Sequence, residues 1–130
     1  MKVLIDENLP KALACGLNGL FAGEHEIVHI RDLYGPAVKD IDWIPDLSKQ
    51  GRWVVISGGR AIKKKKAEYH VFRSSRSVGF FLAPGLLKAP LIKQAERILA
   101  NWEGIETFAA GSAPGAMYEI HMSSMKIAPL

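Results

Sequence analysis

The sequence contains one cysteine, Cys15, in 130 residues, which excludes an intrachain disulfide and fits a reducing compartment, the cytoplasm. Its place in an apolar stretch reads as a small buried helix residue. No apolar run approaches the roughly 20 residues a membrane helix needs, so a membrane-spanning role is excluded. Met1 leads almost directly into Val3-Leu4-Ile5 and two acids, without the length or cleavage site of a secretory signal. No Gly-x-Gly-x-x-Gly opens a helix and no Walker-type Gly-Lys-Ser/Thr occurs, so the usual phosphate loops of nucleotide-binding folds are missing. His25, His29, His70 and His121 lack zinc-ligand spacing. Ser57 stands in no nucleophile-elbow context.

What is present is a globular balance, 48% hydrophobic and 23% charged residues, at a length that fits one domain with its own core. The net charge of +4 is unevenly placed. Arg60, Lys63, Lys64, Lys65, Lys66, Arg73 and Arg76 face only Glu68 between positions 60 and 76, so that segment alone carries +6. A concentrated cationic patch suits a polyanion such as a nucleic-acid backbone, while a four-lysine run is equally at home on a solvated helix start.

Elements alternate along the chain. Lys2 to Ile5 reads as a buried strand closed by Asp6-Glu7-Asn8-Leu9-Pro10, and a helix from Lys11 to about Leu20 follows, with Gly23 as its stop signal. His25 to Ile30 is a second strand, on which His29 alternates between a buried and a polar face. Ala37 to Gln50 is helical in period, but Pro45 belongs in a first turn, which sets the regular helix near Asp42 with Asp40 or Asp42 as cap. Trp53 to Ile56 reads as a central strand with Ser57-Gly58-Gly59 as its exit turn. A helix over Lys64 to Arg73, a strand over Val78 to Leu82 and a helix opened by Pro90, with Leu91, Ala95, Ile98 and Trp102 in one stripe, come next. Glu106 to Ala109 reads as a fifth strand, Met117 to Met122 as an edge strand and Ser123 to Leu130 as a tail. The domain is therefore expected over residues 1–111, with 112–130 as a C-terminal extension. Such alternation predicts an α/β fold with a mainly parallel central sheet flanked by helices in three layers.

Parallel α/β sheets bind ligands where their strands end. Asp6 and Glu7 leave the first strand side by side, an arrangement whose repulsion a divalent cation or hydrogen bonds must offset. Magnesium or manganese suits such oxygen donors. For Asp6 the competing role is to bond the backbone of its own turn. For Asp40 and Asp42 it is helix capping, favoured by the macrodipole.

Val3-Leu4-Ile5-Asp6-Glu7-Asn8-Leu9-Pro10, then His29-Ile30-Arg31-Asp32-Leu33, then Asp40 ahead of Gly51, then Trp53-Val54-Val55-Ile56 resembles the compact PIN-like domains, in particular the VapC-type toxins of VapBC toxin–antitoxin pairs. The resemblance covers most of residues 1–99. It implies an endoribonuclease dependent on Mg²⁺ or Mn²⁺, with an RNA substrate and a cognate antitoxin protein as partner. Carried over by position, Asp6 is the first metal ligand, Asp40 with Asp42 beside it supplies the acid at the second helix, and Glu7 supports them. The segment from Arg60 to Arg76 would then hold the RNA backbone.

One position departs from that pattern. The family usually has a form like Gly-Asp-Arg after the third strand, and this chain has Gly58-Gly59-Arg60, which leaves the ligand position Gly59 without a side chain. A low-activity relative, recruitment of Asp32 or Asp46, or an inactivating substitution each accounts for it. A catalytically silent module that binds RNA or protein accounts for it as well. A receiver-type signalling domain shares the acidic pair but needs an aspartate after the third strand, where Ile56-Ser57-Gly58 offers none. Met117, Met122, Met125 and Ile127 suit covering a sheet edge or a partner, a second copy included.

Overall fold

The computed structural model describes all 130 residues as one six-stranded sheet in the order β2-β1-β3-β4-β5-β6. The strands are β1 (Lys2–Ile5), β2 (Glu26–His29), β3 (Val54–Gly58), β4 (Val78–Leu82), β5 (Met117–Ile120) and β6 (Ala128–Pro129). The first five pair in parallel, and β6 closes the far edge antiparallel to β5. No helix of the structure is long and apolar enough to cross a membrane.

Side chains alternate across the sheet, which needs cover on both faces. Val3, Ile5, Val54, Ile56 and Phe80 point to one face, where Leu13 and Leu17 of α1 (Lys11–Leu20), Ile98 of α7 (Leu91–Ala100) and Trp102 and Ile105 of α8 (Trp102–Gly111) complete a core. Leu4, Val55 and Phe81 point to the other. There Trp43, Ile44 and Leu47 of α3 (Asp40–Lys49) and Phe72 of α5 (Lys66–Arg73) meet them. Short helices α2 (Ile30–Tyr34), α4 (Ala61–Lys64) and α6 (Pro84–Leu87) bridge strand ends. The predicted three-layer α/β architecture is therefore the observed one.

Several local expectations change. Glu106 to Ala109 is not a strand but the body of α8, because Ile105 and Ala109 share a face with Trp102 and are buried together. Met117 to Ile120 is internal rather than an edge, and the expected tail supplies β6, with Ile127 buried. The sheet thus runs on past residue 111. Cys15 is exposed, since Leu13, Ala14 and Leu17 take the inward face of α1. Helix α3 begins at Asp40 rather than Asp42, and Pro45 lies beyond its first turn. The Lys39 carbonyl already accepts from the amides of Asp42 and Trp43, and burial of Trp43, Ile44 and Leu47 outweighs the bond that Pro45 cannot make. The helix expected from Lys64 is split at Lys65, between α4 and α5. Ser57 and Gly58 belong to β3, so the exit turn starts at Gly59, whose φ of +77° favours glycine.

Candidate active site

Connection order places the crevice. The chain crosses from β2 on one side of β1 to β3 on the other, so the helices leaving β1 and β3 diverge and the carboxyl ends of these two strands lie open between them. In the parallel register Ile5 pairs with Ile56, which sets the next residues, Asp6 and Ser57, side by side.

Asp6 is held on both oxygens. Its Oδ1 accepts the Glu7 amide at 2.7 Å, and its Oδ2 accepts the Ser57 hydroxyl at 2.8 Å. Ser57 Oγ also lies 3.2 Å from Asn8 Oδ1, and Asn8 Nδ2 donates to the Gly58 carbonyl at 2.9 Å. The turn is pinned from behind by His29, whose Nε2 sits 2.8 Å from the Leu9 carbonyl while its Nδ1 accepts the Arg31 amide. His29 is fully buried, so its role is to hold the Asp6 turn.

Asp40 enters from the other side, at the start of α3. Its Oδ1 accepts the Trp43 indole N–H at 2.9 Å. Asp6, Asn8, Asp40, Ser57 and Lys65 line a cavity of about 130 Å³, whose remaining lining is apolar. Burial pushes the Asp6 carboxyl above its ordinary value, and the charges of Asp40 and Glu7 push the same way. The hydrogen bonds from Ser57 and the Glu7 amide oppose the rise without cancelling it.

The other sequence candidates lie elsewhere. Glu7 turns outward to Arg31, 3.1 Å from its Nε, and accepts the Ala37 amide. Asp42 is exposed on α3 and does not line the cavity. Neither Asp32 nor Asp46 is recruited: Asp32 pairs with Lys11 at 2.8 Å, and Asp46 accepts the Tyr34 hydroxyl at 2.7 Å. Gly59 follows the cavity lip, and a Cβ there would touch only Leu87, at an ordinary 3.5 Å.

The basic segment divides into two groups. Arg60 grips the buried Glu119 of β5 through Nε and Nη2 at 2.7 and 2.8 Å. Lys63 Nζ donates to the Leu130 carbonyl, and Arg73 Nη1 to the Gly115 carbonyl. Lys64, Lys65, Lys66 and Arg76 make no ion pair and are exposed. They are the cations left for a polyanion.

Glu119 is held below its ordinary value first by the Arg60 hydrogen bonds, with the charges of Arg60, His121 and Lys63 helping and burial opposing. Its contribution to stability is therefore full above the usual glutamate range and is lost as pH falls through the depressed folded value. Replacing Glu119 by Gln is expected to lower Tm by about 5 °C at pH 7, with the gap closing in acid. Thermal melts of both proteins from pH 7 to pH 3 check this, and a gap that widens in acid contradicts it.

A family described as "PIN like domain" matches residues 1–84, well over half of the chain. The chain belongs to the PIN-like domain family. No curated protein and no solved structure matches it. The family makes this a nuclease-type module, and PIN domains generally use divalent metals. The donor set here fits such an ion in a minimal form. No three His, Cys, Asp or Glu side chains converge closely enough to hold a metal, yet Mg²⁺ characteristically takes one or two carboxylates and keeps several waters. Asp6 and Asp40 supply that number.

Sequence reasoning placed Asn8 and Ser57 at strand exits but gave neither them nor Trp43 a role in the site. The usable signal for Ser57 was its exit from the strand predicted to be central, beside the strand that carries Asp6.

Proposed function

We propose that this PIN-like chain is a metal-dependent endoribonuclease, working from a two-carboxylate centre and attenuated by glycine at position 59. The observation that carries the reading is the pairing of Asp6 and Asp40 across a cavity at the β1/β3 switch point. Asp6 is already desolvated and raised in pKa there, a state in which a cation relieves the cost of holding it charged. In this reading Asp6 and Asp40 hold Mg²⁺ or Mn²⁺. The bound ion supplies Lewis-acid stabilisation of phosphodiester charge and a more acidic water.

The chain's own residues do the positioning. Ser57 and the Glu7 amide fix both oxygens of Asp6, the Trp43 indole fixes one oxygen of Asp40, and Lys65 brings a positive charge to the phosphate side. Lys64, Lys66 and Arg76 hold the strand beyond. We assign the protein to the VapC-type toxins, with a cognate antitoxin protein as partner and the cytoplasm as its place. The support is the Asp6-Glu7-Asn8-Leu9-Pro10 opening. The second reading, a silent RNA- or protein-binding module, is favoured by the empty position at Gly59 and by Glu7 facing away from the cavity.

The test is cleavage of a single-stranded RNA with Mn²⁺, alongside calorimetric titration of Mn²⁺. Trp43→Phe keeps an aromatic ring in the core but removes the donor to Asp40 Oδ1. It is expected to weaken Mn²⁺ binding about 10-fold, the usual effect of losing a partner that orients a ligand, and to leave Tm within a few degrees. If the native chain neither binds Mn²⁺ nor cleaves, and Gly59→Asp is equally inert, the silent-module reading replaces this one.

A further inference from the structure

Glu7 is the acid of the first turn that the cavity does not use. It follows Asp6, yet its carboxylate turns away, and Oε1 accepts two donors at once, Arg31 Nε at 3.1 Å and the Ala37 amide at 3.4 Å. Arg31 is in turn fixed to the Asp6 turn at two points. Its side chain meets Glu7, and its amide donates to Nδ1 of His29, whose other ring nitrogen sits on the Leu9 carbonyl. Stability alone does not account for such a tether, because an ion pair this exposed adds little to it. The loop that completes the arrangement is itself unusual. Ala37 has φ of +61°, a region that residues other than glycine seldom enter and that recurs at functional sites. Lys39, exposed and without an ion pair, ends that loop.

The tether leaves the arginine usable. Glu7 takes one of the five N–H groups of the guanidinium, which is about half exposed. The other four make no bond within the chain and keep the fork that grips two oxygens of a phosphate. The sheet sets where that fork stands. Strand order β2-β1-β3 puts Arg31, just past β2, on one side of the Asp6 turn, and the β3 side, with Lys65 at the cavity, on the other. Strands two places apart are separated by roughly 10 Å, a span that suits two phosphates of one strand rather than one.

We infer that Arg31, held in place by Glu7, grips a second phosphate of the RNA, on the side of Asp6 and Asp40 opposite Lys65. Glu7 is then a positioning residue that acts through Arg31, and the two aspartates lie under the stretch of backbone between the two cations. The inference rests on the nuclease reading for its substrate class and adds the path of the strand to it.

The experiment uses the whole chain in EDTA, so that no RNA is cut, and measures anisotropy of an end-labelled uridine octamer across a range of salt. Replacing the pair together, Glu7→Gln with Arg31→Gln, leaves the net charge of the protein as it was, so its overall attraction for a polyanion is preserved. The double variant is expected to bind about 5-fold more weakly. The slope of log affinity against log salt should flatten by about 0.7, the loss of one phosphate contact on a single strand. Arg31→Lys, which keeps the charge but not the fork, should recover the slope and only part of the affinity.

A second readout uses the native chain itself. In ¹⁵N–¹H spectra the Arg31 side-chain Nε–H resonance, assigned by its loss in Arg31→Lys, should move as the octamer is added. An unchanged affinity or slope in the double variant, no binding by the native chain, or an unmoved Arg31 resonance would each overturn the inference. Turnover is scored separately with Mn²⁺, where the loss in the double variant should fall mainly on KM. A chain that binds through Arg31 but does not cut sinks only the nuclease reading, and one that cuts with the same KM in both forms sinks only this contact.

Discussion

Gly59→Asp is expected to raise Mn²⁺-dependent RNA cleavage by about 100-fold, the scale on which one well-placed electrostatic group acts at a phosphodiester. The backbone there can accept the change. Gly59 has φ of +77°, a region that aspartate enters more readily than most residues, and its Cβ would find only Leu87 at contact distance. The turn is anchored by the Gly59 amide, which donates to the Leu82 carbonyl at 2.8 Å, so the new carboxylate starts from a fixed base. Some stability is lost, about 1 kcal/mol for a side chain forced into the left-handed region. Cleavage of a labelled RNA by both proteins, over a range of Mn²⁺, decides the matter. An increase in kcat with tighter Mn²⁺ binding supports a third ligand; an unchanged rate and affinity would falsify the claim that this position limits the site.

Asp6→Asn is expected to do two opposite things. Cleavage by the native or the Gly59→Asp protein should fall roughly 1000-fold, because the best-positioned carboxylate is gone. Stability without metal should rise. Burial lifts the Asp6 pKa above its unfolded value, so the charged side chain destabilises the fold once pH exceeds the unfolded value, and the penalty is complete above the folded one. Asparagine removes the charge but keeps the geometry: its oxygen can still accept the Glu7 amide, while its amide can donate to Ser57 Oγ, which is then free to donate to Asn8. A gain of about 3 °C in Tm at pH 7 is the expected scale, shrinking toward zero as the pH falls through the Asp6 titration. Melts with saturating Mn²⁺ should reverse the order, since only the aspartate form is stabilised by the ion. A variant less stable than the native chain at neutral pH, without metal, would show that Asp6 is held for packing rather than for a cation.

The layers and most strands were legible in the chain because the signals were local. Val3-Leu4-Ile5, Trp53 to Ile56 and Val78 to Leu82 are apolar on both faces, as central parallel strands must be. The misreadings came where a distant segment decided the outcome. Glu106 to Ala109 is helical because Trp102 and Ile105 bury one helix face against the sheet, and β5 became internal because residues 128–129 return to cover it. The site shows the same division. Asp6 and Asp40 could be picked out from their places at a strand exit and a helix entry. Glu7 reads in the sequence as a supporting ligand beside Asp6, and that it turns away instead shows only in the folded chain, where Arg31 and the Ala37 amide come within its reach. Likewise Arg60 reads as one more cation in a basic run until Glu119, 59 positions away, is seen to hold it.

The distance along the chain between Asp6 and Ser57 has a consequence for synthesis. Asp6 is synthesised ahead of the hydroxyl that orients it, which comes 51 positions later, and the strand that carries that hydroxyl is bracketed by β4 still further on. Parallel pairing of this kind cannot begin until the crossover helix is complete. A nascent chain that ends before β3 and β4 therefore holds the first acid without its partners, and the candidate site is complete only once the sheet has closed.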